Sequence, residues 1–193
     1  METIIQNADQ LQRQALAAVK QMGLDSQLSK YGQFNVVGSA VYNLMTWRDI
    51  DFDLVMPAVP DNKTYWDIVQ CIFTVPGVKK LTLVDNRDLE EKDRPKSMYI
   101  GVSYKDAENE TWKLDIRVLS KDSVTTDSIA ELIKLKLTED SRLHILEIKS
   151  QVHTNPKYHK GFSSVDIYNA VLLNGVKDLS GFEKYLATLG KSL

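Results

Sequence analysis

The sequence predicts an α+β protein: a mixed sheet to about residue 122, then a helical part over 123–193. Three observations predict it. Residues 49–54 (Asp-Ile-Asp-Phe-Asp-Leu) and 112–118 alternate apolar and polar with period two, the mark of strands with two unlike faces. Met98 to Tyr104 and Thr111 to Leu119 flank the polar segment Asp106 to Glu110 as the arms of a hairpin. From about Thr125 onward the apolar residues recur at helical spacing instead.

Each element follows from local pattern. Ile4, Ala8, Leu11, Ala15, Val19 and Met22 form one helical stripe, and Gly23 stops it. A short helical piece through Leu28 and Tyr31 leads to a strand at 33–38. Ala40 to Met45 fit a short helix before the aspartate strand, which Pro57 and Pro60 close. Asp61 caps a helix carrying Tyr65, Ile68, Val69, Ile72 and Phe73, ended by Pro76-Gly77. Val78 to Val84 is a strand, residues 85–96 form a charged loop, and the hairpin follows. Ile129, Leu132 and Ile133 start a helix, although 135–137 also fit a strand. Leu143, Ile145, Leu146, Ile148 and Val152 form a second stripe, broken by Asn155-Pro156. Ser163-Ser164 cap the segment 165–173, with Gly175 as its stop. Ser180 and Glu183 have capping-box spacing for a last helix ending at Gly190. Trp66, Phe73, Phe182 and Tyr185 read as core.

Composition bounds the function. A chain of 193 residues, 43% hydrophobic and 26% charged, is a globular protein of one domain with an appendage or two small ones. The net charge of -2 supplies no global basic field for nucleic acid. Cys71 is the single cysteine, so no intramolecular disulfide forms, and a buried thiol is expected. No apolar run is long enough to span a membrane and no signal-peptide pattern opens the chain, which points to a cytoplasmic protein. His144, His153 and His159 lack companions at metal spacing and read as solvated or capping residues.

The chemistry gathers around residues 34–56. Ile50, Phe52 and Leu54 share the buried face of one strand, so Asp49, Asp51 and Asp53 project together from the other. Like charges so placed repel unless a cation lies between them. Mg²⁺ is commonly held by one or two carboxylates together with substrate phosphates. A similar half-polar pattern recurs at Lys113, Asp115 and Arg117.

Gly38-Ser39 ending an apolar strand, nine residues (40–48), Asp49-Ile50-Asp51, and later Leu114-Asp115-Ile116 together resemble the nucleotidyltransferase superfamily of the DNA polymerase β type. The context Trp47-Arg48-Asp49-Ile50-Asp51 is similar to antibiotic nucleotidyltransferases of the aminoglycoside and lincosamide types, and to toxin-type members. The resemblance covers about residues 30–120. It implies a mainly antiparallel sheet flanked by helices, residues 1–122 as the catalytic domain, and transfer of a nucleoside monophosphate from an NTP such as ATP to an acceptor hydroxyl. Two Mg²⁺ ions would be held by Asp49, Asp51 and Asp115, with Asp115 as third ligand or base. Gly38 and Ser39 would cradle the triphosphate, helped by the N-terminus of a following helix. Arg48, Lys113 and Arg117 are phosphate-contact candidates. Because three aspartates alternate, the metal pair is Asp49/Asp51 or Asp51/Asp53. The first register aligns better and leaves Asp53 to Lys113 or Arg117. The acidic balance favours a small-molecule or protein acceptor over RNA. The alternatives are a toxin-type enzyme acting on tRNA, which Lys149, Lys157, Lys160 and Lys177 on one face would support, and an inactive nucleotide-binding or interaction module.

Overall fold

The computed structural model describes residues 3–87, 96–123 and 128–193. Residues 88–95 of the expected charged loop, and 124–127 where helical character begins, lie outside the described residues. The chain forms two compact units. One takes in residues 12–41 and 47–126, the other 1–11, 42–46 and 127–193.

The first unit is built on a five-stranded sheet. Its strands are β1 (Gln33–Val37), β2 (Asp49–Met56), β3 (Val78–Asp85), β4 (Ser97–Lys105) and β5 (Thr111–Ser120), in the order β1-β2-β5-β4-β3. Only β2 and β5 pair in parallel; the other three pairings are antiparallel. A parallel pair needs a crossover, and the chain between β2 and β5 supplies it. Ile50, Phe52, Leu54, Leu114 and Ile116 are fully buried on one face. Phe34 of β1 stacks on Phe52, ring centroids 4.9 Å apart. Burying each such side chain stabilises by about 1.5–3 kcal/mol. A one-residue slip of β2 would bury Asp49, Asp51 and Asp53 instead, so the alternation fixes the register.

Helices tie onto this sheet through β4. The first is α1 (Ile4–Met22), and Gly23 ends it with φ 62°. The Tyr104 hydroxyl donates to Gln21 Oε1 at 3.2 Å. A single turn of helix, α2 (Leu24–Leu28), precedes β1. In α3 (Asn62–Phe73) the Thr64 amide donates to Asp61 Oδ1 at 2.7 Å, the expected cap. Tyr65 of α3 donates to the Tyr99 carbonyl at 3.1 Å. The buried stripe of α3 is Tyr65, Ile68, Val69 and Ile72. Trp66 and Phe73, expected in the core, are 55% and 61% exposed. They lie seven residues apart and so share the outer face. Cys71 is half-buried rather than buried.

The expected helix over 40–45 is absent. A single 3₁₀ turn, Gly38–Ala40, follows β1, and Asn43 has φ 55°. That left-handed residue is incompatible with a continuing helix.

The second unit contains α4 (Ser128–Lys136), α5 (Glu139–Val152), α6 (Ser164–Asn174) and α7 (Leu179–Thr188). Residues 135–137 are not a strand: α4 runs to Lys136, and the Leu137 amide donates to Ile133 O at 2.9 Å. The cap of α7 is Asp178, which accepts from the Gly181 amide at 2.8 Å, so Ser180 and Glu183 lie inside the helix. His153 caps the C-terminal end of α5. Lys149 is 1% exposed and donates to the Leu44 carbonyl at 2.7 Å and to the Tyr168 hydroxyl at 3.3 Å. It therefore contributes nothing to a basic surface with Lys157, Lys160 and Lys177. Among the described residues no helix is long and apolar enough to cross a membrane.

Candidate active site

The parallel pairing of β2 with β5 sets the site. Its register places Asp49 opposite Lys113, Asp51 opposite Asp115 and Asp53 opposite Arg117. Both strands alternate in phase, so all six charged side chains project from one face, on strands about 4.8 Å apart. Two like charges directly opposite each other, Asp51 and Asp115, oppose folding unless they are compensated.

Compensation is uneven. Lys113 Nζ stands 2.6 Å from Asp115 Oδ2 and 3.3 Å from Asp49 Oδ2, bridging the two carboxylates. Trp47 Nε1 donates to Asp49 Oδ2 at 3.1 Å. The Tyr99 hydroxyl, from β4, donates to Asp115 Oδ1 at 2.7 Å. Arg117 clamps Asp53 with two bonds, Nε to Oδ1 at 2.7 Å and a terminal nitrogen to Oδ2 at 2.8 Å. Asp51 differs. Its carboxylate lies against Gly38, whose φ is 68°, and a Cβ on Gly38 would overlap Asp51 Oδ2.

The electrostatics follow. Burial, then the charges of Asp49 and Asp115, push the Asp51 carboxyl up to about 7. Burial also raises Asp49, against the opposing pull of Lys113. For Lys113, burial works against the ammonium, but the bond to Asp115 and the charge of Asp49 outweigh it and raise its pKa. Burial, then the bond to Asp115, raises the Tyr99 phenol.

The remaining sequence candidates are placed as follows. Gly38 and Ser39 form the 3₁₀ turn beside Asp51, with no helix following to lend its N-terminus. Arg48 faces elsewhere: its guanidinium lies 5.8 Å from the Trp112 ring and 3.5 Å from Glu110. Trp112 is fully buried, on the face of β5 opposite Lys113 and Asp115. The sequence reading missed Tyr99 and Trp47. The one local hint for Tyr99 is the glycine two residues on, in the middle of a strand.

No family model matches the sequence, and no curated protein matches it significantly. Solved structures do. A cytoplasmic RNA terminal U-transferase superposes with TM-score 0.58 at 12% identity, over 85% of this chain and 46% of that one. The Cid1 poly(U) polymerase gives 0.57 at 13% identity, over 84% and 48%. CdnC of E. coli MS115-1, in complex with HORMA-deltaN, gives 0.50 at 16% identity, over 95% and 64%. The fold is of the nucleotidyltransferase type. The chain spans about half the length of the two uridine-transferring structures. These neighbours differ from the antibiotic-modifying type that the context around Trp47 resembles.

Among the described residues no three His, Cys, Asp or Glu side chains already stand as a metal-ligand group. Lys113 Nζ lies 3.3 Å from Asp49 Oδ2 and 2.6 Å from Asp115 Oδ2, one positive charge against two negative ones. The donors are all carboxylate oxygens, which suit a hard cation such as Mg²⁺. Asp51, its pKa raised by burial and then by the charges of Asp49 and Asp115, lies in a space that Gly38 keeps open. In donor type Asp49, Asp51 and Asp115 fit a hard divalent cation, with the Lys113 ammonium between Asp49 and Asp115.

Proposed function

We propose that the chain is a Mg²⁺-dependent nucleotidyltransferase, moving a nucleoside monophosphate from an NTP to an acceptor hydroxyl and releasing pyrophosphate. The observation that carries this reading is the β2–β5 register, which sets Asp51 opposite Asp115 with Asp49 two residues away on the same strand face. Such transfer needs in-line positioning and neutralised phosphate charge more than covalent help from the protein. Asp49, Asp51 and Asp115 would hold the cations. When bound, these stabilise charge on the attacking and leaving oxygens. Asp53 is occupied by Arg117, which supports Asp49/Asp51 as the metal pair. Gly38 and Ser39 would offer a close backbone approach and a hydroxyl to the triphosphate. Lys113, freed from the carboxylates, would meet a phosphate.

The net charge of -2 and the burial of Lys149 favour a small-molecule or protein acceptor. An RNA hydroxyl is the second reading, supported by fold likeness to the RNA terminal U-transferase and the poly(U) polymerase. The test incubates the protein with labelled ATP, GTP, CTP and UTP over small-molecule, protein and RNA acceptors. Transfer by the wild type and its loss in Asp51→Asn are expected. Equal pyrophosphate release by Asp51→Asn would overturn the assignment. Failure to bind any NTP with Mg²⁺ would remove the enzyme reading altogether.

A further inference from the structure

We propose that Tyr99 is a positioning residue for Asp115, and that Gly101 provides the clearance its phenol needs to get there. The inference rests on the aspartate cluster being a cation site. In the β4–β5 pairing, Tyr99 stands opposite Arg117, and Gly101 stands opposite Asp115. The phenol nevertheless passes its own partner and reaches diagonally to Asp115 Oδ1, 2.7 Å away. To do so it lies over Gly101. A Cβ at that position would stand 2.7 Å from the Tyr99 hydroxyl oxygen and 3.2 Å from Cε1 and Cζ of the ring.

Glycine weakens the interior of a strand unless something approaches its backbone closely. Gly101 is not among the glycines with positive φ, so its backbone conformation does not require it. The approaching phenol does. Nor is Tyr99 a core residue: Ile100 and Val102 fill the buried face of β4, whereas Tyr99 is half-buried on the charged face. With Tyr99 on Oδ1 and Lys113 on Oδ2, both oxygens of Asp115 are fixed. With Lys113 turned aside, the phenol would keep Oδ1 in place and Oδ2 would be the oxygen that holds a cation. Outer partners of this kind set the orientation of ligating carboxylates.

The test is Tyr99→Phe, which keeps the ring and removes the hydroxyl. Calorimetric titration with Mn²⁺ alone should show binding about 10–100-fold weaker than wild type. With nucleotide, kcat should fall by a similar factor while KM for the NTP stays within about twofold. Equal Mn²⁺ affinity in the two proteins overturns the role of Tyr99 even where transfer activity stands. A wild type that binds no Mn²⁺ overturns the cation site and this assignment together. Gly101→Ala supplies the second arm, read as the midpoint of thermal unfolding. It should lower the midpoint in the wild type and raise it in a Tyr99→Val background, where nothing crosses the strand. A fall in both backgrounds overturns the clearance role.

Discussion

Gly38 and Asp51 share space that admits only one side chain: the Asp51 carboxylate lies where a Cβ on Gly38 would be. They are brought together by the β1–β2 hydrogen-bonding register, which pairs Val37 with Asp51. The backbone adds a second, independent constraint, because Gly38 has φ 68°. Gly38→Ala must therefore strain the turn and push the carboxylate aside. A loss of about 100-fold in kcat/KM is expected, the scale of effect that a displacement near 1 Å produces. Stability should fall by about 1–3 kcal/mol. Steady-state kinetics beside urea denaturation check both, and full activity in Gly38→Ala would mean that Asp51 is not needed in this position.

The Asp51 carboxyl makes stability pH-dependent with a definite sign. Its pKa is about 7 in the folded protein, against 3.8 ordinarily. Between those values the folded state binds the proton more tightly than the unfolded chain, so stability falls as pH rises. The contribution is fully present below about pH 4 and lost through pH 7. Asp51→Asn abolishes it. Urea denaturation in chelator should show the variant more stable than wild type by about 2–4 kcal/mol at pH 8, and by little at pH 4. Adding Mg²⁺ at pH 8 should narrow the gap, because only the wild type gains a ligand there. A gap independent of pH would refute the assigned cause.

Legibility in the sequence tracked distance along the chain. Period-two alternation is local, so β2 and β5 and their charged faces are readable at once. The hairpin likewise needs only its own turn. Tyr99 was not readable, because its bond to Asp115 depends on β4–β5 register and on a diagonal reach. The sequence makes Arg48 a phosphate-contact candidate. Arg48 lies in the bend just before β2, and its guanidinium sits with Trp112 and Glu110. The apolar residues of 40–45 suggested a helix, but Asn43 adopts a left-handed conformation that composition does not announce. Residue type points Trp66 to the core, and residue type with the apolar run after Ile72 points Phe73 there, whereas both face outward on α3.

Asp53 offers a direct comparison among the three alternating aspartates. Its carboxylate is held by two bonds from Arg117. The arginine satisfies it without a metal. Asp53→Asn should leave kcat/KM within about threefold of wild type and cost about 1 kcal/mol of stability. Asp49→Asn, Asp51→Asn and Asp115→Asn should each cost about 100-fold or more. Steady-state kinetics on the four variants decide between the two metal-pair registers. A large loss confined to Asp51, Asp53 and Asp115 would move the pair one step along β2.

Lys113 is a competitor for any cation at this site before it is a helper. Its ammonium lies between Asp49 and Asp115, 3.3 Å and 2.6 Å from their oxygens. A divalent ion binding there must displace it, and so must pay for two broken ion pairs. Removing the competitor should tighten binding of the metal alone. Lys113→Met is expected to bind Mg²⁺ about 3–10-fold more tightly without nucleotide, equivalent to about 0.7–1.4 kcal/mol. In chelator the same variant should be less stable than wild type, because three carboxylates then face one another with less positive charge between them. With NTP present the sign should reverse, since the phosphate contact proposed for Lys113 is lost and KM should rise. Calorimetry with Mg²⁺ alone, thermal unfolding in chelator and steady-state kinetics measure the three effects. Weaker Mg²⁺ binding in Lys113→Met would show that the ammonium supports the cation site instead of occupying it.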